Sequence, residues 1–160
     1  MKLDHVDIRI LNQLQDNSDL SNQELAQRVH ISAPTCLRRV KRLKEAGVIR
    51  KQVALLDASK IGYGLTVIVE LSLDRQGAEH IQAFEQQAQA ELAIQQCYHV
   101  ATGPDFILVL QLADMQAYHA LAHRLFTASH NVRNVRSFFA SQPSKFETRY
   151  SVPDERFNTR

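Results

Sequence analysis

Tryptophan is absent from the 160 residues, and cysteine, methionine, proline and glycine are all scarce. The two cysteines, Cys36 and Cys97, lie far apart in sequence, so neither a disulfide scaffold nor a paired-cysteine metal knuckle is on offer. Two free thiols in a reducing cytoplasm are the expectation. Five glycines and four prolines exclude a collagen-like or low-complexity chain. No apolar run approaches the ~18 residues of a membrane span. The opening MKLDHVD places acids where a secretion signal would carry its apolar stretch, so no such signal is read there. What remains is an ordinary globular composition, 44% hydrophobic and 22% charged, long enough for one medium domain or two small ones.

The charge is unevenly spread. Residues 1–60 hold eleven Lys/Arg against seven Asp/Glu, and residues 61–160 hold eight against ten. Seven of the basic residues fall within Arg38–Lys51, where Glu45 is the lone acid. An anion-binding head on a mildly acidic body is implied.

The head reads as three helices. Val6, Ile10, Leu11 and Leu14 recur at helical spacing, with Asp4 and Asp7 in the first turn, where the helix dipole favours negative charge. Ser21 and Glu24 spell a capping box for a helix of about two turns carrying Leu25, Ala26 and Val29 inward. Ser32-Ala33-Pro34 then starts a third helix that runs to about Ala46 and is stopped by Gly47. Cys36, Val40 and Leu43 face its core side, while Thr35, Arg38, Arg39, Lys41, Arg42 and Lys44 form a polar, mostly basic remainder. A short helix, a turn and a helix with a basic outer face make a helix-turn-helix, whose second helix can enter the major groove of double-stranded DNA. A solvated basic face is the plain alternative. Against it stand the capped helix in front and Val48–Leu55 behind, which reads as a strand of a wing bringing Arg50 and Lys51 to phosphates.

Asp57–Gly64 reads as a connection. Beyond it, a strand over Leu65–Asp74 alternates, with Leu65, Val67, Val69, Leu71 and Leu73 on one side. A helix follows over Gly77–Ala90 with Ile81, Phe84 and Ala88 inward, then strands over Ile94–Thr102 and Asp105–Leu112. A helix over Met115–Ser129, a strand over Val132–Ala140 and a further short strand over Lys145–Ser151 complete the pattern. The order βαββαβ fits a ferredoxin-like sandwich, a four-stranded antiparallel sheet with both helices on one face. The other face would be an apolar patch demanding a partner, so self-association is expected. The fold class is therefore α+β: a winged helix-turn-helix over 1–56, a linker over 57–64, and a ferredoxin-like domain over 65–160.

These motifs together resemble the Lrp/AsnC family of bacterial and archaeal regulators over nearly the whole chain. The resemblance rests on Leu3-Asp4, Asp7, Ile10-Leu11 and Leu14, then Ser21, Glu24-Leu25-Ala26 and Ile31-Ser32. It continues through Arg39–Leu43 and Gly47-Val48-Ile49. Asp19, where the family often has Arg, and Cys36, where an aliphatic residue is usual, depart from it. The resemblance implies a cytoplasmic, sequence-specific transcriptional regulator of amino-acid metabolism. It also implies sheet-paired homodimers that often assemble into an octamer, and an effector that is a small amino acid. Thr35, Arg38 and Arg39 are the expected base readers. Arg42, Arg50 and Lys51 are expected on phosphates, with Ser32 capping the third helix and donating to a phosphate. Arg39 has an alternative role as an ion-paired packing residue.

For the effector, the turn Thr102-Gly103-Pro104-Asp105 offers a close backbone approach at Gly103, a hydroxyl and amides for a carboxylate, and the Asp105 carboxylate for an ammonium. Read without the family, it is first an ordinary hairpin turn, since Gly-Pro-Asp is common turn chemistry. The family places a Gly-x-x-Asp effector motif here. Since only Pro104 separates Gly103 from Asp105, either Thr102 takes the usual glycine position or the turn is one residue tighter. Leucine-type ligands fit best, because the surrounding strands supply Val, Ile, Phe and Tyr. No cofactor, catalytic residue, metal site or membrane partner is expected. His119 and His123 have a metal-ligand spacing without the companions that a metal site needs. The enzymatic alternative is a sirohaem decarboxylase, which is similar in fold but would have little need of a basic recognition helix.

Overall fold

The computed structural model describes residues 2–128 and 131–152. They group into two compact units, one from residues 2–55 with 145–152 and the other Leu56–Ser144.

The first unit contains α1 (His5–Asp16), α2 (Asn22–Arg28) and α3 (Ala33–Glu45). Asp4 caps α1, accepting from the amides of Val6 and Asp7, and Asp7 accepts in return from the Asp4 amide. Ser21 and Glu24 close the expected box on α2, with Ser21 N to Glu24 Oε2 at 2.8 Å and Glu24 N to Ser21 Oγ at 3.2 Å. The turn from α2 to α3 passes through His30 at φ 56, a left-handed conformation in a non-glycine residue. Gly47, at φ 71, carries the chain off the end of α3. The core is small: Ile10, Leu11, Leu25, Ala26, Val29, Cys36 and Leu43, with Val6, Leu14 and Val40 packed partly against it. Ile8, which the periodic reading did not place inward, is also buried. Burial pushes the Cys36 thiol above its usual pKa, consistent with a packing role.

Two expectations fail at the edges of this unit. Val48–Leu55 forms no strand, because an extended segment becomes a strand only when a neighbour supplies the other half of the ladder. Nor does 145–151 add a strand to the sheet, and 145–152 groups by contacts with the helical unit. It lies instead along α1. The Gln15 side chain donates to the Tyr150 carbonyl at 3.1 Å and accepts from the Tyr150 amide at 2.7 Å, doing for one residue what a paired strand would do. Arg149 reaches Asp16 at 2.6 Å, and Val152 packs on the helical core.

The second unit opens with a short 3₁₀ turn, Ala58–Ile61, capped by Asp57, so the expected linker is partly ordered. Then come β1 (Leu65–Leu73), α4 (Ala78–Ala90), β2 (Ile94–His99), β3 (Phe106–Leu112), α5 (Met115–Ala122, continued by one π-type turn, His123–Thr127) and β4 (Val132–Phe139). Ser129, expected to end the fifth helix, lies outside the described residues. The sheet is antiparallel in the order β2-β3-β1-β4, with Val67 opposite Leu110 and Phe139. One face, built on Val67, Val69, Leu71, Leu73, Phe106, Leu108 and Leu110, is covered by Phe84 and Ala88 of α4 and by Leu121, Leu125 and Phe126 of α5 and its extension.

The other face is less apolar than expected. Ile68, Tyr98 and Phe138 are exposed there, but they alternate with Glu70 and Arg136, which pair at 3.1 Å, and the Arg136 guanidinium lies 5.3 Å from the Phe138 ring centroid. No described helix is long and apolar enough to cross a membrane.

Candidate functional site

The recognition helix is held by a charge cluster that no periodicity reveals. Asp7 is fully buried, yet both its oxygens are occupied: Oδ1 by Arg39 Nη1 at 2.8 Å and Oδ2 by Arg42 Nη2 at 2.6 Å. Arg39 Nη1 also meets Asp4 at 2.7 Å. A buried carboxylate is tolerable only when its lone pairs are used, and here they are. Burial works against ionisation of Asp4. The Arg39 hydrogen bond and charge, with the Asp7 and Val6 amides, outweigh it and hold its pKa down to about 2. The capping acids of α1 thus latch α3 to α1.

This changes the roles assigned along α3. Arg39 is drawn into the latch through Nη1, the ion-pair role named above as its alternative. Arg42, half exposed, shares the latch and keeps part of its guanidinium toward solvent. Ser32 sits at the cap position, but its hydroxyl bonds Thr35 Oγ1 at 2.8 Å and caps no amide, which corrects that expectation. Arg38, Arg50 and Lys51 are exposed with no ion pair among the described residues, while Thr35 is half buried. The outward face also carries Pro34, Leu37 and Lys41, of which the charge-led reading gave Leu37 no role.

In the second unit, residues 101–105 form the irregular β2–β3 connection, closed by the Val100 amide on the Asp105 carbonyl at 3.0 Å. Gly103 has φ 91, and a Cβ built there would meet nothing within 4 Å, so backbone conformation and not crowding selects glycine. Asp105 Oδ2 accepts from the Leu73 amide at 2.7 Å and from Gln76 Nε2 at 3.2 Å, tying the turn to the end of β1. The other carboxylate oxygen makes no hydrogen bond among the described residues. Thr102 and Gly103 are exposed. A separate groove of about 380 Å³ between α4 and β2 is lined by Glu85, Gln89, Gln95, Cys97 and His99, not by the turn. No group of three or more His, Cys, Asp or Glu among the described residues is placed to hold a metal ion.

Residues 3–50 match the winged helix-turn-helix DNA-binding family model, and residues 66–150 match the model of the Lrp/AsnC ligand binding domain. The chain belongs to the Lrp/AsnC family. It is 37% identical over 145 residues to the leucine-responsive regulatory protein of Rhizobium meliloti, spanning 91% of this chain and 93% of that protein. The crystal structure of an AsnC family transcriptional regulator from Agrobacterium tumefaciens superposes with a TM-score of 0.87 at 31% identity, covering 93% of this chain and 97% of that one. The transcriptional regulator NMB0573 of Neisseria meningitidis, solved as a complex with L-Met, gives the same TM-score and identity over 95% of this chain and 97% of that one. This Lrp/AsnC chain is a transcription regulator that joins a DNA-binding domain to a ligand-binding domain.

Proposed function

We propose that this regulator reads a defined, roughly palindromic DNA sequence and that its assembly and DNA binding respond to a small apolar amino acid. The observation that carries the reading is the Asp7 latch. It turns Arg39 and one amino group of Arg42 toward α1 and leaves Arg38 outward on the helix that such motifs lay in the major groove. In this reading Arg38 and Thr35 contact bases, while Arg42, Arg50, Lys51 and the Ser32 hydroxyl serve phosphates.

The turn Thr102–Asp105 is the ligand-facing element. Its exposed amides and the Thr102 hydroxyl suit a carboxylate, and the second oxygen of Asp105 suits an ammonium. Leucine and methionine are the leading ligands, because the relatives include a leucine-responsive regulator and a methionine complex. Sheet-to-sheet homodimers building toward an octamer, working in the cytoplasm, complete the proposal. A dimer sets two copies of α3 about a two-fold axis.

Titration calorimetry of all twenty amino acids against the full chain and Asp105→Ala tests the ligand arm. Binding of leucine or methionine to the parent and its loss in the variant are expected. Undiminished binding by the variant removes Asp105 from the site, and no binding to the parent ends the sensing proposal. Light scattering on the eluting protein, with and without the bound amino acid, tests the assembly arm; a concentration-independent mass of 18.2 kDa ends it.

A further inference from the structure

Within α1, α2 and α3, Leu37 is the one large apolar side chain left exposed among the described residues, at 60%. It does not belong to the core stripe of Cys36, Val40 and Leu43, and it lies outside the apolar cluster of its unit. Its neighbours at helical spacing are Pro34, Lys41 and Lys44, all exposed, which places them on one ridge. The ridge changes character along its length: apolar in the first two turns, cationic in the last two. Lys41 is held only by a loose, exposed pair with Glu45 at 3.7 Å. In a helix entering the major groove, the N-terminal half meets base edges and the flanking cations meet phosphates. The major-groove edge of a base pair offers one apolar group, the C5 methyl of thymine.

We infer that Leu37 is a specificity-determining residue that packs on a thymine methyl beside the base contact of Arg38. The inference rests on the proposed sequence-specific reading and deepens it. It adds an apolar half to a recognition surface that the charge pattern alone describes as basic. Thr35, paired with Ser32 and half buried, is less available for the same contact.

The test begins by selecting binding sites for the full chain from a random pool of duplex DNA. Each thymine of the consensus is then replaced in turn by deoxyuridine, which removes the methyl and leaves the pairing intact. One position per half-site is expected to weaken binding by about fourfold, the value of one buried methylene-sized group. Leu37→Ala should bind the thymine and uracil duplexes equally, and Leu37→Val should keep part of the preference. Since the side chain is largely exposed, both variants are expected to melt with the parent.

A flat uracil series on a clear consensus overturns this inference alone, as does a Leu37→Ala protein that keeps the parent's preference for the methyl. A shift in oligomer mass in Leu37→Ala with no change in the uracil series also overturns it, assigning Leu37 to a protein contact. A pool that yields no consensus overturns the sequence-specific reading itself, and this inference with it.

Discussion

The two units bury their interiors by different chemistry. The sheet unit stacks Val67, Val69, Leu71, Leu73, Phe106, Leu108 and Leu110 beneath two helices, and no buried charge enters that layer. The helical unit has about half as many fully buried apolar residues and places the carboxylate of Asp7 among them, gripped by two arginines of α3. The sheet owes its stability to area, the head a larger part of its own to geometry. An apolar layer tolerates small shifts of its members. A buried ion pair fixes the rotation and height of α3 against α1, as a helix that must present particular side chains to a groove requires.

The sharpest way to break this comparison is to cut each interior at its centre. Phe106 is fully buried, with Phe84 4.6 Å and His99 5.2 Å away between ring centroids. Phe106→Ala should cost about 4 kcal/mol through lost transfer energy and the cavity left behind. Denaturant unfolding gives the size of the loss, and amide exchange should place it in β1 and β3. Asp7→Ala should cost about 3 kcal/mol, because it breaks a buried ion pair, leaving Arg42 without its partner and Arg39 with Asp4 alone. The decisive control is the pair Asp7→Leu with Arg39→Leu, which replaces the charges by apolar volume. It is expected to recover stability to within about 1 kcal/mol of the parent while DNA affinity stays low. If the single Asp7 variant melts with the parent, the latch contributes nothing.

How much of this was legible beforehand follows the same division. Alternation in β1 and the Phe84/Ala88 stripe of α4 gave the sheet unit its layers, because local periodicity and burial coincide there. The capping box of α2 was equally plain, since its partners are three residues apart. The latch was not, because Asp7 and Arg39 are 32 residues apart and each alone looks like a surface charge. The Val48–Leu55 strand was misread because a propensity for extension is not a ladder. The tail was misread because Gln15 satisfies the Tyr150 backbone in place of a strand. Composition placed Gly103 and Asp105 in the β2–β3 turn, where they lie, but the use of Asp105 Oδ2 by Leu73 and Gln76 depends on where β1 ends, which spacing does not disclose.

Acid sharpens the comparison without a mutation. The Asp4 carboxyl is held at about 2, below its ordinary 3.8. A depressed carboxylate contributes stability that is present above pH ~4 and is lost as pH falls from about 4 through about 2. Amide exchange between pH 5 and pH 2.5 should therefore show the N-terminal turn of α1 loosening across that window, while the β1 and β3 amides, whose layer holds no buried charge, keep their protection. Equal loss in both units would contradict the division drawn above. Added salt should remove part of the effect, because Asp4 is nearly half exposed although Arg39 is largely shielded.

The smallest expected effect concerns the tail. Residues 145–152 reach α1 by two kinds of contact, the Arg149–Asp16 pair and the reciprocal hydrogen bonds between Gln15 and the Tyr150 backbone. Both members of the ion pair are nearly half exposed, so water and salt screen it, and such pairs are worth about 0.2–1 kcal/mol. The Gln15 amide supplies a donor and an acceptor together, and removing it should cost about 1 kcal/mol by leaving two backbone groups to water. Gln15→Ala is therefore expected to lower the stability of the helical unit more than Arg149→Ala, and only the arginine variant should lose its effect in high salt. The chain crosses between the units at 55/56 and again at 144/145, so the tail is a second covalent route from the ligand-binding domain to the helices. If Gln15→Ala leaves the exchange of the Tyr150 amide unchanged, the tail is not held in solution by the contacts described, and that route carries nothing.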